Sequence, residues 1–363
     1  MQGYSRGITE FLGRLTMDFP IRIWIVDNSG SMILNDGCRL VETSDRANVR
    51  LVKCTRWDEL RETVSYHARM ASLLRAATRF RLLNHPGPSV GPQTFSIAVD
   101  ASTAEPIRSE LDAQEAIRIM QRAHPRGVTP LTEHVLAVHD QVERMAPSLK
   151  ARGQRAVVIL ATDGLPSDDQ GHGGQFISNQ FVQALRLLSS LPVWIVIRLC
   201  TDDPEVVKFY SELDENLELN LEVLDDFVNE SREVAKHNPW LNYALPLHRC
   251  REMGFSNKIL DLLDERPLTK SEISRFCSLL FGEDRWDEVP DPDVDWYGFL
   301  RSVEGAAKEE GEQWNPVRKR VEPWINVKRL DYMLGERRTS IVSALLVALA
   351  ALVLAAIFFF ILD

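Results

Sequence analysis

Short apolar runs alternate along the chain with stretches whose apolar residues recur every three or four positions. Ile21–Val26, Phe95–Val99, Ala156–Leu160 and Val193–Leu199 read as strands, with a weaker run at Phe80–Leu83. Leu217–Leu224 alternates in the manner of an edge strand, whereas Val157 to Leu160 shows no polar alternation, as a strand covered on both faces requires. Between these runs lie amphipathic stripes: Leu60, Val64, Ala68, Ala71 and Leu74; Ala113, Ala116, Ile117 and Met120; Leu131, Val135, Val138 and Val142; Phe181, Ala184, Leu185 and Leu188. Thr55 with Asp58 resembles a capping box at the start of the first stripe, and a helix at about Asp226 to Lys236 closes the series. Strand–helix alternation of this kind predicts an α/β fold, a doubly wound and mostly parallel central sheet flanked by helices.

Past His237 the pattern changes. Ile259 to Leu263 reads as a short helix, and Thr269 with Glu272 caps another that carries Ile273, Phe276, Cys277 and Leu280 on one face. Gly282 to Asp295 is acidic and contains prolines, the composition of an exposed loop. The charged stretch from Arg301 to Glu336 holds Trp314 and Trp324, which implies partial docking, and the Met and aromatic residues of 240–335 read as packing. The expected organisation is an N-terminal lead (1–18), an α/β domain (19–236) with an insertion at 33–56, a small helical extension and stalk (237–335), and a transmembrane helix over 340–362. The two helices of the extension also fit a helix–turn–helix, but their acidic surroundings argue against one.

The transmembrane expectation rests on Ile341 to Leu362, which is wholly apolar apart from Ser343. Twenty-two residues at ~1.5 Å each reach roughly 33 Å, against a bilayer core of ~30 Å. Lys328, Arg329, Arg337 and Arg338 precede this stretch and only Asp363 follows it, which places the large N-terminal part in the cytosol. The first 20 residues carry Arg6, Glu10, Arg14 and Asp18 and do not read as a signal peptide, so a tail-anchored protein is expected. The apolar tail with little charge after it favours the endoplasmic reticulum over the mitochondrial outer membrane. Ser340, Ala344 and Ala348 recur at a spacing that permits a homodimer through the membrane helix, although alanine is common in such helices for other reasons.

Composition narrows the function. The net charge of −10 argues against a nucleic-acid partner, which needs a basic face to displace counterions. The 5 cysteines are scattered without a Cys-x-x-Cys, as in a reduced, cytosol-facing chain; Cys38 and Cys54 flank the insertion, where pairing or metal binding is the alternative.

Three segments carry the candidate chemistry: Asp27-Asn28-Ser29-Gly30-Ser31, Gly127-Val128-Thr129-Pro130-Leu131 and Thr162-Asp163-Gly164-Leu165-Pro166. Asp27 and Asp163 each end an apolar strand, and Thr129 sits in a loop before a helix, with Pro130 suited to the first helical position. The carboxyl ends of parallel strands form one crevice, so the three segments should meet there. Asp27 and Asp163 offer two carboxylates and Ser29, Ser31 and Thr129 three hydroxyls, hard oxygen donors that suit Mg²⁺ or Mn²⁺.

In this order and placement the three segments resemble the metal-ion-dependent adhesion site of von Willebrand factor A domains, over residues 19–236. The resemblance implies direct metal contacts from Ser29, Ser31 and Thr129, with Asp27 and Asp163 acting mainly through bound water. It leaves one position for an Asp or Glu carboxylate of a protein partner. One departure is plain: the family starts a helix directly after the second serine, whereas here Ile33 to Arg56 intervene. The loop Pro166 to Gln175, rich in Asp and Gly, is a second place where partner choice would be set, and His172 in it reads as an exposed loop residue. His134 and His139 are five apart on a helix, the wrong spacing to share a metal.

The expected function is that of a membrane-anchored, cytosol-facing adaptor or assembly factor that binds a protein partner through the metal, and not an enzyme. A Mg²⁺-dependent hydrolase would need a general base or a basic phosphate clamp. Arg126 reads as the only cation near the motifs, and no P-loop occurs. A subunit coupling an ATPase to its substrate, a role A domains take in some chelatase and chaperone-like assemblies, is the remaining alternative.

Overall fold

In the computed structural model, residues 3–42, 49–100, 105–216, 220–255 and 257–335 are described. The chain runs α1 (Arg6–Asp18), β1 (Ile21–Val26), a 3-10 turn (Gly30–Ile33), β2 (Gly37–Glu42), β3 (Val49–Cys54), α2 (Arg56–Leu74), β4 (Thr78–Leu82) and β5 (Thr94–Ile97). It continues α3 (Pro106–Arg122), α4 (Leu131–Ala151), β6 (Ala156–Thr162), α5 (Gln175–Ser189), β7 (Val193–Leu199), α6 (Pro204–Asn216), β8 (Leu221–Leu224) and α7 (Phe227–His237). Then come α8 (Leu245–Glu252), α9 (Lys258–Glu265), α10 (Lys270–Phe281), α11 (Glu283–Trp286), α12 (Trp296–Glu309), β9 (Gln313–Asn315), β10 (Arg320–Glu322) and α13 (Val327–Leu334). The membrane span expected over 340–362 lies outside the described residues, as do Arg337 and Arg338. Among the described residues no helix is long and apolar enough to cross a membrane.

The central sheet has six strands in the order β5-β4-β1-β6-β7-β8. Every pairing is parallel except that of β5, which runs antiparallel at one edge. The arrangement is mixed α/β with a mostly parallel sheet, compatible with a Rossmann-like fold. Side chains alternate across β1: Ile21, Ile23 and Ile25 pack with α4, α5 and α6, while Trp24 and Val26 pack with α2 and α3. The chain fills the sheet leftwards from β1 to β4 and β5, then returns to the other side of β1 for β6. The switch point therefore lies between β1 and β6, whose carboxyl ends open one crevice.

Several details differ from the sequence expectations. The insertion is an antiparallel hairpin, β2 on β3, in register from Gly37 opposite Cys54 to Glu42 opposite Val49. Cys38 and Cys54 are not bonded to each other, and all five cysteines are free thiols. The N-terminal lead is mostly helix, and its Ile8, Leu12 and Leu15 share one core with the extension, including Phe255, Phe276 and Phe299. The extension contains the antiparallel pair β9–β10 as well as helices. Trp314 and Trp324 are buried in it. The acidic stretch after Gly282 also departs from a plain loop, because it includes α11 and buries Trp286. Thr55 caps α2 by accepting from Asp58 N, whereas the full reciprocal capping box occurs at Thr269 and Glu272.

The face of the sheet that meets α2 and α3 carries three charged strand residues, Arg22, Arg198 and Glu222, all nearly inaccessible to water. Burying such groups is costly unless each finds a partner. Helix α8 of the extension supplies them. Arg22 Nε donates to Met253 O (3.3 Å) just past α8, and its NH2 donates to Leu15 O (3.4 Å) near the end of α1. A cation at two helix C-termini also meets the favourable end of both dipoles. Arg251 donates to Glu222 Oε1 (2.7 Å) and to Glu230. Glu252 accepts from Arg249 (2.7 Å) and bonds His67 Nε2 (2.9 Å), with Arg198 Nε at 3.5 Å. Burial pushes the Glu252 carboxyl up, but Arg249, the nearby His248 ring and the hydrogen bond with His67 outweigh it and hold the group well below the usual carboxylate range. Burial keeps His67 neutral.

Removing Glu252 leaves Arg249 and Arg198 buried with less countercharge. Glu252→Ala should lose roughly 3–5 kcal/mol of stability in urea unfolding at pH 7. A loss below about 1 kcal/mol would show that the network contributes little.

Candidate metal centre

Asp27 follows β1 and Asp163 follows β6, so neighbouring parallel strands deliver both carboxylates to the switch-point crevice. Both are buried. Asp27 Oδ1 accepts from Ser29 N (2.8 Å) and its Oδ2 from Thr162 Oγ1 (2.6 Å), which turns the chain sharply after β1. That turn brings Ser29 Oγ to 3.1 Å from Ser31 Oγ, and Ser31 Oγ donates to Asp163 Oδ1 at 2.8 Å. Asp27 thus lies behind the two serines, with Ser29 buried and Ser31 exposed at the mouth.

The loop carrying Thr129 is laced onto the other two segments. Arg126 N donates to Asn28 O (2.7 Å) and Gly30 N to Gly127 O (3.1 Å). Asn28 and Asn84 exchange hydrogen bonds, and Asn84 Nδ2 donates to Val128 O (2.8 Å). Gly127 has φ +82°, and a Cβ there would stand 2.2 Å from Asn84 Oδ1, so both the backbone conformation and this close approach require glycine. Thr129 N donates to Ser167 Oγ (3.0 Å), and Ser167 N donates to Thr129 O (2.9 Å). The Thr129 hydroxyl faces the turn after Asp163, 3.8 Å from the place a Cβ on Gly164 would occupy. Pro130 stands at the N-cap of α4, one residue before the first helical position expected of it. Tyr210 donates to Gly164 O (3.0 Å) and fixes that turn from α6.

Ser31 therefore links Ser29 to Asp163, with Asp27 behind and Thr129 beside them. Two neighbouring oxygens on an octahedral ion with bonds of ~2.1 Å are ~3.0 Å apart. The spacings of 3.1 and 2.8 Å match that edge. The donors are all hard oxygens, so the residues present fit Mg²⁺ or Mn²⁺ chemistry.

Arg126 does not serve the site. Its guanidinium turns to His85 O, 3.1 Å from Nε. The cation that does reach the site is Arg56, which the sequence reading passed over. Arg56 NH1 donates to Asp163 Oδ2 (2.9 Å), and its Nε and NH2 grip Asp36 at 2.7 and 2.6 Å. The hairpin explains how it arrives. β2 and β3 leave after the 3-10 turn and return side by side, with Arg56 N donating to Leu34 O (3.0 Å), so the start of α2 lies against the start of the insertion.

Other residues singled out in the sequence have local roles. His172 is exposed and bonds Asp168, Nδ1 to Oδ2 at 3.1 Å. His134 is buried and accepts from Arg81 Nε (2.7 Å). Burial, with Arg81, pushes it down to about 4, so it is neutral. His139, Asp140 and Glu143 on α4 bring ligand-type atoms within 4.8 Å of one another, an acidic surface group that no other observation marks as a site.

No protein-family model matches this chain, and no curated protein matches it either.

Burial, and next the charge of Asp163, push Asp27 up to about 6 against hydrogen bonds from Ser29 and Thr162. A carboxyl raised in the folded state holds its proton more tightly there than in the unfolded chain. Its favourable contribution is complete below the ordinary value of 3.8 and disappears as pH rises through about 6. Asp27→Asn removes that cost while keeping an acceptor for Ser29 N. In EDTA at pH 7.5 the variant should be more stable by roughly 1–3 kcal/mol, and the gain should vanish near pH 4. A lower melting temperature for the variant at pH 7.5 would refute this account of the buried acid.

Proposed function

We propose that this chain is a von Willebrand factor A-type protein that binds a protein partner through a divalent cation. Ser29, Ser31 and Thr129 would contact Mg²⁺ or Mn²⁺ directly, and Asp27 and Asp163 would act mainly through water. The cation supplies a Lewis-acidic position that takes an Asp or Glu carboxylate from the partner. The observation that carries the reading is the meeting of Ser29, Ser31 and Asp163 at octahedral-edge spacing, beside the switch point of a parallel sheet.

The protein's own residues support this role in three ways. The Asp27 hydrogen bonds to Ser29 N and Thr162 Oγ1 preorganise the serine turn. Ser31 is exposed, so the outer side of the site is open to a ligand. Ile33, Leu34 and Leu165, each within three residues of Ser31 or Asp163, are exposed apolar side chains. Apolar surface around a polar anchor suits a protein partner better than a small hydrophilic substrate. The role proposed is adaptor or assembly factor, held at a membrane by residues 340–362 with the described part in the cytosol.

The test is affinity capture with the full chain in detergent, in Mg²⁺ and in EDTA, with Ser31→Ala and Asp163→Asn alongside. A partner should be retained only by the unaltered protein in Mg²⁺, with recovery falling at least tenfold in EDTA or in either variant. Partners that ignore both the metal and the substitutions would overturn the mechanism.

A further inference from the structure

Arg56 is the first residue of α2, directly after its cap Thr55. A cation in the first turn faces the positive end of the helix dipole, which is unfavourable. Its side chain is also 8% exposed, so it has given up most of its hydration. Both costs are met by two carboxylates that lie on either side of it. Asp163, with a fully buried side chain, accepts one bond from NH1, and Asp36, half exposed, accepts two. Asp36 is held below its usual range, first by these hydrogen bonds.

The two bonds to Asp163 have different consequences. Oδ1 faces Ser31 and the side of the proposed cation, whereas Oδ2 is already taken by Arg56. The guanidinium therefore places one positive charge against the same carboxylate that a divalent ion would use. Asp36 acts in the opposite sense, because it holds the guanidinium by its other edge and adds negative charge nearby.

The geometry points to Arg56 as a built-in competing cation, balanced by Asp36, that sets how tightly the site holds its divalent ion. This rests on the cation reading given above. The pair also connects that affinity to the hairpin, since Asp36 lies just before β2 and Arg56 just past the end of β3. Like charges close together at a partly buried site repel strongly, so loss of Arg56 should tighten ion binding. Loss of Asp36 should weaken it, because Arg56 is then left to Asp163 alone. A merely structural brace would behave differently: breaking the bridge from either side would disturb the site in the same direction.

The experiment is a titration of the full chain in detergent with Mn²⁺, following free Mn²⁺ by its paramagnetic resonance signal. Wild type, Arg56→Gln, Arg56→Lys, Asp36→Asn and Ser31→Ala are compared, each checked for a cooperative thermal transition. Arg56→Gln should bind at least tenfold tighter, Asp36→Asn at least threefold weaker, and Arg56→Lys close to wild type because it keeps the charge. If Ser31→Ala abolishes binding but Arg56→Gln binds no tighter than wild type, the competing-cation role is wrong and the cation site stands. If neither wild type nor Arg56→Gln binds Mn²⁺, the cation reading fails and this inference falls with it. Should Arg56→Gln not fold, the Asp36→Asn result decides: unchanged or tighter binding overturns the proposal.

Discussion

Two buried carboxylates on neighbouring strands are the constraint around which this molecule is arranged. Because β1 and β6 pair in parallel, Asp27 and Asp163 must leave the sheet side by side, out of water and with like charge. Such a pair cannot persist without compensation. The compensation is visible in each surrounding element. Thr162 and the Ser29 amide hold Asp27. Ser31 and Arg56 hold Asp163. Burial and mutual repulsion still push Asp27 up to about 6, so the hydrogen bonds do not fully offset the pair. A site left with uncompensated negative charge and oxygen donors at ion-shell spacing has a reason to bind a cation, quite apart from any resemblance to other sequences.

The second arrangement is the welding of the extension to the sheet. Charged residues at three strand positions would forbid a free-standing α/β unit, because Arg22, Arg198 and Glu222 all point to the same face. Helix α8 covers them with charges of the opposite kind and with helix-end carbonyls. The chain of contacts then continues outward: Arg198 bonds Glu59 on α2, and Glu59 accepts from Cys38 N on the hairpin. Helix α2 thus touches the candidate site through Arg56, the insertion through Glu59, and the extension through Thr63 and His67. It is the element through which the site, the hairpin and the extension share one frame.

What the sequence made legible follows from the range of the forces involved. The uninterrupted apolar run of β6, and those of β1 and β7 broken only by Arg22 and Arg198, report their own burial, so their positions and the parallel sheet could be read directly. The three oxygen-bearing segments could be read for a related reason: a polar residue at the end of a buried strand stands out locally. The hairpin could not be read in this way. Cys38 to Val41 and Val49 to Lys53 are partly or fully exposed and mixed in polarity, and the pairing of the two strands is a property of both together. Nor could α8, whose Arg249, Arg251 and Glu252 look like a solvated surface until their partners on other elements are known. Arg56 was missed because it is remote in sequence from Asp163, and only the closure of β2 on β3 brings them together. One local signal was present: an arginine immediately after a helix cap is poorly placed with respect to the helix dipole, and misplaced charge calls for a partner.

That misplacement gives the insertion a physical meaning. A helix that began directly after Ser31 would point its own N-terminus at the site and contribute only backbone amides and a dipole, both fixed. Here the chain first makes the excursion through β2 and β3, and the helix that follows presents a charged side chain instead. A side chain can be released where a dipole cannot. Asp36 offers Arg56 two hydrogen bonds against one from Asp163, so the guanidinium has a place to remain if Asp163 is taken by another cation. The positive charge at this site is therefore carried by a side chain that two carboxylates hold, one of them beside the start of the hairpin.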